Sequence, residues 1–207
     1  MDGLNKPNLR CNSMRYVLLL LCVILSGQTM AEEITFDMSV WGFKFGQMTV
    51  TKTMENDSTE VYTMSASGKV NFLWMKKEGS TKYKVIIVNG QMISSSYIRI
   101  VNGETDYWNE VVFDGEKYQV ESNKGNRAFT EIPDNTILAL YFNPTTQHKR
   151  IYCEAESEFS TLSTPNEDGF ELHCTDGSRT SYHLVNGLVN SMEIHASLAS
   201  IKMKRVK

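Results

Sequence analysis

Past residue 31 this chain has no apolar run long enough to cross a bilayer. It also has no GxSxG or SxxK, no HExxH or HxH, and no Walker-type glycine loop. Each absence removes a class of chemistry, because serine acyl transfer, zinc hydrolysis and phosphate-loop nucleotide chemistry depend on those spacings. Positive charge is scarce too. Residues 32–207 carry 18 Lys and Arg against 23 Asp and Glu, a net charge of −5. A general nucleic-acid binder needs an excess of cations to neutralise phosphates, so that class is excluded. No low-complexity tract or linker divides residues 32–207, which are read as a single β-rich domain.

What the body of the chain lacks, its beginning has. Arg15 precedes a ten-residue apolar run, Tyr16 to Leu25, and then small residues, with Thr29 and Ala31 at the −3 and −1 positions of a cleavage after Ala31. Residues 1–31 therefore read as a secretory signal peptide, too short in its apolar part to span a membrane. Met14 is the expected biological start, because a leader from Met14 is compact. The expectation is an exported protein, periplasmic, envelope-associated or secreted, with no membrane span once the signal is removed.

Turn chemistry dominates the rest. Asn-Gly or Asp-Gly pairs occur at 89–90, 102–103, 114–115, 168–169, 176–177 and 186–187. Such pairs supply the positive φ that tight hairpins require. Runs such as "STKYKVIIV", "ETDYWNEVVF" and "RTSYHLV" between them have strand composition and near-alternation. Loop lengths then predict register. Asn102-Gly103 sets Ile100 opposite Thr105, Ile98 opposite Tyr107 and Arg99 opposite Asp106. Asp176-Gly177 sets Phe170 opposite Tyr182 and Leu172 opposite Thr180, and Asn186-Gly187 sets Leu184 opposite Leu188. In "VWGFKFGQMTV", Gly42 permits a turn and Gly46 marks a bulge that lets Phe45 and Met48 face one core. The terminal "KMKRVK" reads as a solvated edge strand whose lysines discourage pairing.

One segment departs from strand pattern. "IPDNTILALYFNP" places Asp134 or Asn135 as a cap before Ile137, Leu138, Leu140 and Tyr141, with Pro144 as a stop. The fold class expected is all-β: an antiparallel meander forming a strongly curved, half-open β-barrel, with one short helix at about 133–142 covering the concave apolar face.

Candidate chemistry is thin. His173, His183 and His195 point to the wet face, each in a different row, which argues against a metal cluster. Glu154, Glu156 and Glu158 alternate along "YCEAESEF" and read as a solvated acidic strand face rather than as catalytic carboxylates, which flank a substrate from opposite sides. Cys153 and Cys174 are the only cysteines after residue 31, and a disulfide between them and two buried free thiols both remain open. No cofactor or metal ligand set emerges.

"SVWGFKFGQMTVTK", "LALYFNP" and "YHLVNGLVNSMEI" together resemble a family of uncharacterised exported bacterial proteins known only as a domain of unknown function. Leu184 stands where that pattern has a second aromatic. More distantly the chain resembles the half-open β-barrels of lipoprotein carriers. The resemblance implies a periplasmic or envelope location and an apolar cavity, and it carries over no catalytic residue. Three functional readings follow. The first is a non-enzymatic envelope protein binding a lipid or other apolar small molecule, with Trp41, Phe72, Trp74, Tyr107, Leu138 and Tyr141 as lining. The second is a structural module with a filled core that holds an envelope protein. The third is an enzyme of unrecognised chemistry.

Overall fold

Alternating apolar residues and frequent positive-φ turns leave the backbone little choice but strand and hairpin. In this computed structural model, residues 31–207 are described except 73–74, 145–148, 167, 196–199 and 207, along with the side chains of 71–72, 75–76 and 165–166. The signal-peptide segment before Ala31 and the start at Met14 lie outside the described residues. The strands run as β1 (Ala31–Val40), β2 (Phe43–Asn56), β3 (Thr59–Phe72), β4 (Met75–Val88), β5 (Gln91–Val101), β6 (Glu104–Phe113), β7 (Tyr118–Ser122) and β8 (Arg127–Phe129). A one-turn helix α1 (Ile137–Leu140) follows. Then come β9 (Arg150–Cys153), β10 (Glu158–Asn166), β11 (Gly169–His173), β12 (Arg179–Val185), β13 (Leu188–His195) and β14 (Ile201–Arg205).

All of these strands belong to one antiparallel sheet in the order 8-7-6-5-4-3-2-1-14-13-12-11-10-9. Two meanders, β1–β8 and β9–β14, are therefore spliced where the first and last strands pair, Met38 opposite Met203. This corrects the edge-strand reading of "KMKRVK". β14 lies between β1 and β13, with Met203 buried and Lys202 and Lys204 turned to solvent. The real edges are β8 and β9.

The sheet curls until those edges face one another without a backbone ladder between them. Side chains span the seam instead. Arg127 of β8 binds Glu158 at 2.8 Å, and Phe129 lies 5.8 Å from Tyr152 and 5.9 Å from Phe159 between ring centroids. A half-open barrel is thus what forms, as expected.

The turns explain most of the register. Asn89-Gly90, Asn102-Gly103 and Asn186-Gly187 each have both residues at positive φ, the conformation of tight type I′ hairpins. Trp41-Gly42 makes a fourth, with φ of 50° and 83°. Phe170 opposes Tyr182 and Leu172 opposes Thr180 as the loop length predicts. Two hairpins slip. Ile100 pairs with Thr105 as expected, but a bulge between Arg99 and Ile100, with Asp106 as the extra residue, pairs Arg99 with Tyr107 and Ile98 with Trp108, although Arg99 still bridges to Asp106 at 2.6 Å. A two-residue turn pairs Val185 with Leu188, so a bulge beside Leu184 buries Val189 and leaves Leu188 exposed. The slipped register also puts His173 and His195 in one row, on either side of Arg179. Gly169 is not a turn residue. It is buried in β11, where a Cβ would meet the Tyr182 carbonyl at 2.2 Å.

The bulge near Gly46 is present, since the register shifts between Met38 and Ser39 and leaves Phe45 as the extra residue. Gly46 pairs with Gly68, and the ring of Phe45 lies where a Cβ on Gly68 would sit. The helix is shorter than the expected 133–142. Thr136, not Asp134 or Asn135, caps it, with its hydroxyl accepting from the Ala139 N–H at 3.3 Å. Asn135 and Thr136 are already committed to β9, through Tyr152 N–H to Asn135 O and a parallel bridge. Leu138, Leu140 and Tyr141 are buried against the concave face, with Tyr141 edge-on to Phe36 and Tyr182.

Candidate functional site: a methionine-floored cavity with a thiol–carboxylate cluster

Curling an apolar face inward while capping it with only one helical turn leaves space. A cavity of about 1160 Å³ opens inside the curled sheet. Its buried floor is rich in methionine, with Met38, Met48, Met64, Met192 and Met203 all lining it. Methionine is unbranched and polarisable, so such a floor adapts to differently shaped apolar guests. One wall is a tyrosine ladder. Tyr83 and Tyr97 meet edge-on at 4.5 Å, Tyr97 and Tyr107 lie 5.7 Å apart, and the Lys124 ammonium sits 4.7 Å above Tyr107. Burial pushes the Tyr83 and Tyr97 hydroxyls above the ordinary phenol range. The outer part of the lining is polar, with exposed Lys77, Glu78, Arg99, Lys124 and Arg127 between β4 and β8, and half-buried Glu156 with exposed Asp176 on the β9–β12 side.

Of the expected lining residues, Tyr107 and Tyr141 line this cavity. Leu138 does not; it is wholly buried in the core beneath it. Trp41 is misplaced in the expectation. It occupies a positive-φ turn position between β1 and β2 and is 63% exposed, because the hairpin reverses there rather than continuing inward. Trp74 and the side chain of Phe72 lie outside the described residues. Ala31 opens β1 opposite Thr53.

The segment after β9 differs most from its sequence reading. Residues 154–157 form a turn, not a strand face, and Ser157 takes φ of 55°. Every carbonyl of that turn is held from across the seam. The Asn109 amide donates to Glu154 O and Ala155 O at 3.0 and 3.2 Å, and Arg127 donates to Glu156 O and Ser157 O at 2.6 and 3.1 Å. The three glutamates consequently part company. Glu158 pairs with Arg127. Glu156 turns to the cavity and accepts from the Thr175 hydroxyl at 2.8 Å. Glu154 is fully buried, accepting the Leu138 N–H through Oε1 at 3.1 Å, while Oε2 has no hydrogen-bond partner among the described residues. Desolvation pushes the Glu154 carboxyl up to about 7, held back by the backbone N–H donors around it.

Cys153 ends β9 and Cys174 follows β11, and both line the cavity as free thiols. Their sulfurs and a Glu156 carboxylate oxygen all lie within 4.8 Å of one another. Cys153 is buried and Cys174 half-buried. Alternation in "YCEAESEF" hid this grouping, because nothing in Glu154–Ser157 is glycine or proline to announce a turn. The methionines carried no signal beyond being apolar.

Residues 36–206 match the family described as Domain of unknown function (DUF6134), and the chain belongs to that family. No curated protein matches it. A solved structure similar to it is the crystal structure of a beta-barrel-like protein of domain of unknown function DUF1849 from Brucella abortus. The TM-score is 0.57 at 11% identity, over 87% of this chain and 97% of that one. At that identity the likeness is one of fold.

Proposed function

We propose that this DUF6134 protein is an exported, non-catalytic binding protein of the periplasm or cell envelope that holds a lipid or other apolar small molecule in its concave face. The observation that carries the reading is the cavity: about 1160 Å³, floored by five methionines and walled by tyrosines. Small-molecule sites run to roughly 1,000 Å³ and are mostly apolar with a few polar groups at fixed places. A chain with an apolar body and a polar end suits that division, with its body on the methionines and its end beside Lys124 and Arg99. A structural module with a filled core has less support, because its core would leave no such space. Enzymatic chemistry has less support as well: the serine–histidine pairs Ser163–His173 and Ser181–His195 lie outside the cavity lining, and the cavity thiols Cys153 and Cys174 face the Glu156 carboxylate rather than an imidazole. Export rests on the basic residue, apolar run and small-residue cleavage pattern ending at Ala31.

Native mass spectrometry of protein purified from its own host tests this reading. A reproducible non-covalent adduct, released by denaturation and extractable into organic solvent, is expected. Protein that is consistently ligand-free would overturn it.

A further inference from the structure

The geometry points to a thiophilic metal site at the cavity wall, in which Cys153 Sγ, Cys174 Sγ and the Glu156 carboxylate bind one divalent cation of the zinc type. The inference is independent of the apolar ligand.

Three observations converge. The three donor atoms already lie within 4.8 Å of one another. Zinc binds thiolate at about 2.3 Å and carboxylate at about 2.0–2.2 Å. Donors of a tetrahedral site therefore sit roughly 3.4–3.8 Å apart, and closing the cluster takes movements of about 1 Å. Second, the elements that carry the donors are braced. The four carbonyls of the turn bearing Glu156 are fixed by Asn109 and Arg127. Cys174 is fixed by Gly177 N–H to its carbonyl at 3.1 Å and its own N–H to Ser178 O at 2.9 Å. Third, the outer partners of a metal site are present. Thr175 donates through its hydroxyl and N–H to Glu156 Oε2 at 2.8 and 3.3 Å, which orients the carboxylate and leaves Oε1 to coordinate.

Two thiolates select zinc or copper(I) over magnesium and calcium. Binding sends the two thiol protons to solvent, so the neutral dithiol and its carboxylate become a site of net charge −1 with a divalent ion. Among the described residues three protein donors converge, and the cavity supplies the fourth direction. That is the open coordination position of a site able to take water or the polar end of a cavity ligand.

The test uses the full mature chain, reduced and freed of metal with a chelator. Zn²⁺ is titrated against a chromophoric competitor, and Co²⁺ is followed by its thiolate charge-transfer absorption. One ion per chain is expected, with intense charge-transfer bands. Cys174→Ser should lower affinity by about 100-fold or more and reduce the bands. Glu156→Gln should lower affinity roughly tenfold and keep them. Cys153 is buried, so Cys153→Ser is read only after circular dichroism shows an intact sheet, and Cys174→Ser carries the conclusion if it does not fold. Wild-type affinity equal to that of Cys174→Ser would overturn the site. So would alkylation of protein taken directly from its host revealing a Cys153–Cys174 disulfide, because the bridge consumes both ligands.

Discussion

Glu154 shows how much a single side chain organises. It lies wholly inside the protein, yet the charge it would carry in water is disfavoured there, and its carboxyl is pushed up to about 7 by desolvation. The group is held for its acceptor oxygen, which takes the Leu138 N–H that a one-turn helix cannot satisfy itself. An amide keeps that oxygen without the buried charge. Glu154→Gln should therefore remain within about 1 kcal/mol of the parent in urea unfolding. Glu154→Ala leaves the donor unsatisfied beside a void and should cost about 2–4 kcal/mol. Equal losses in both would show that the acceptor is not what matters. Asp114 gives the opposite electrostatics. Its carboxylate accepts from the Lys117 and Glu116 N–H groups and from Gln119, which hold it down at about 2 against 3.8 unperturbed. A lowered carboxyl binds its proton less readily in the folded state. Its contribution to stability is thus full above pH 3.8 and is lost as pH falls through 2. A carboxyl-carbon NMR titration should show the low midpoint, and Asp114→Asn should flatten acid unfolding over that window.

At the scale of elements, the strands were legible because alternation and Asn-Gly pairs are local properties. Phe170 opposite Tyr182 follows from loop length alone. Bulges are not local in that sense. The slips between Arg99 and Ile100 and beside Leu184 answer to twist and packing in the finished sheet, so Leu188 reads as core and emerges exposed. The turn at Glu154–Ser157 was invisible for a related reason. Its positive φ falls on serine and is sustained by Asn109 and Arg127, residues 45 and 30 positions away from the carbonyls they bind. The cavity's thiol–carboxylate group depends on that turn and was equally hidden. Gly46, by contrast, announced itself. A Cβ there would sit 2.2 Å from Ser67 O, which is backbone and cannot move aside cheaply. Gly46→Ala should destabilise by about 2–4 kcal/mol, whereas Gly79→Ala, whose Cβ would find its nearest neighbour at 3.7 Å, should cost under about 1 kcal/mol. Thermal unfolding of the pair separates close approach from a general dislike of alanine in these strands.

For the molecule as a whole, the decisive fact is that the sheet curls without closing. Splicing the two meanders through β1 and β14 puts the first and last strands in the middle of the sheet and leaves β8 and β9 as the edges, joined by Arg127 and Phe129 rather than by a ladder. A barrel sealed by backbone hydrogen bonds would fix its own bore. This one sets its interior by side chains, and α1 fills only part of it. The remaining volume either serves a guest or is a packing fault, and the two can be separated by filling it. Ala66 lies on β3, half-buried at the cavity wall, opposite Met48 and Thr81. Ala66→Phe adds apolar bulk to existing space, so stability should stay within about 1 kcal/mol of the parent or rise. Binding should suffer instead, with the adduct seen by native mass spectrometry falling at least severalfold at equal protein yield. An adduct retained at parental occupancy in a stable Ala66→Phe protein would place the guest elsewhere. A large loss of stability would show that the wall is already packed and that the cavity has no room to give.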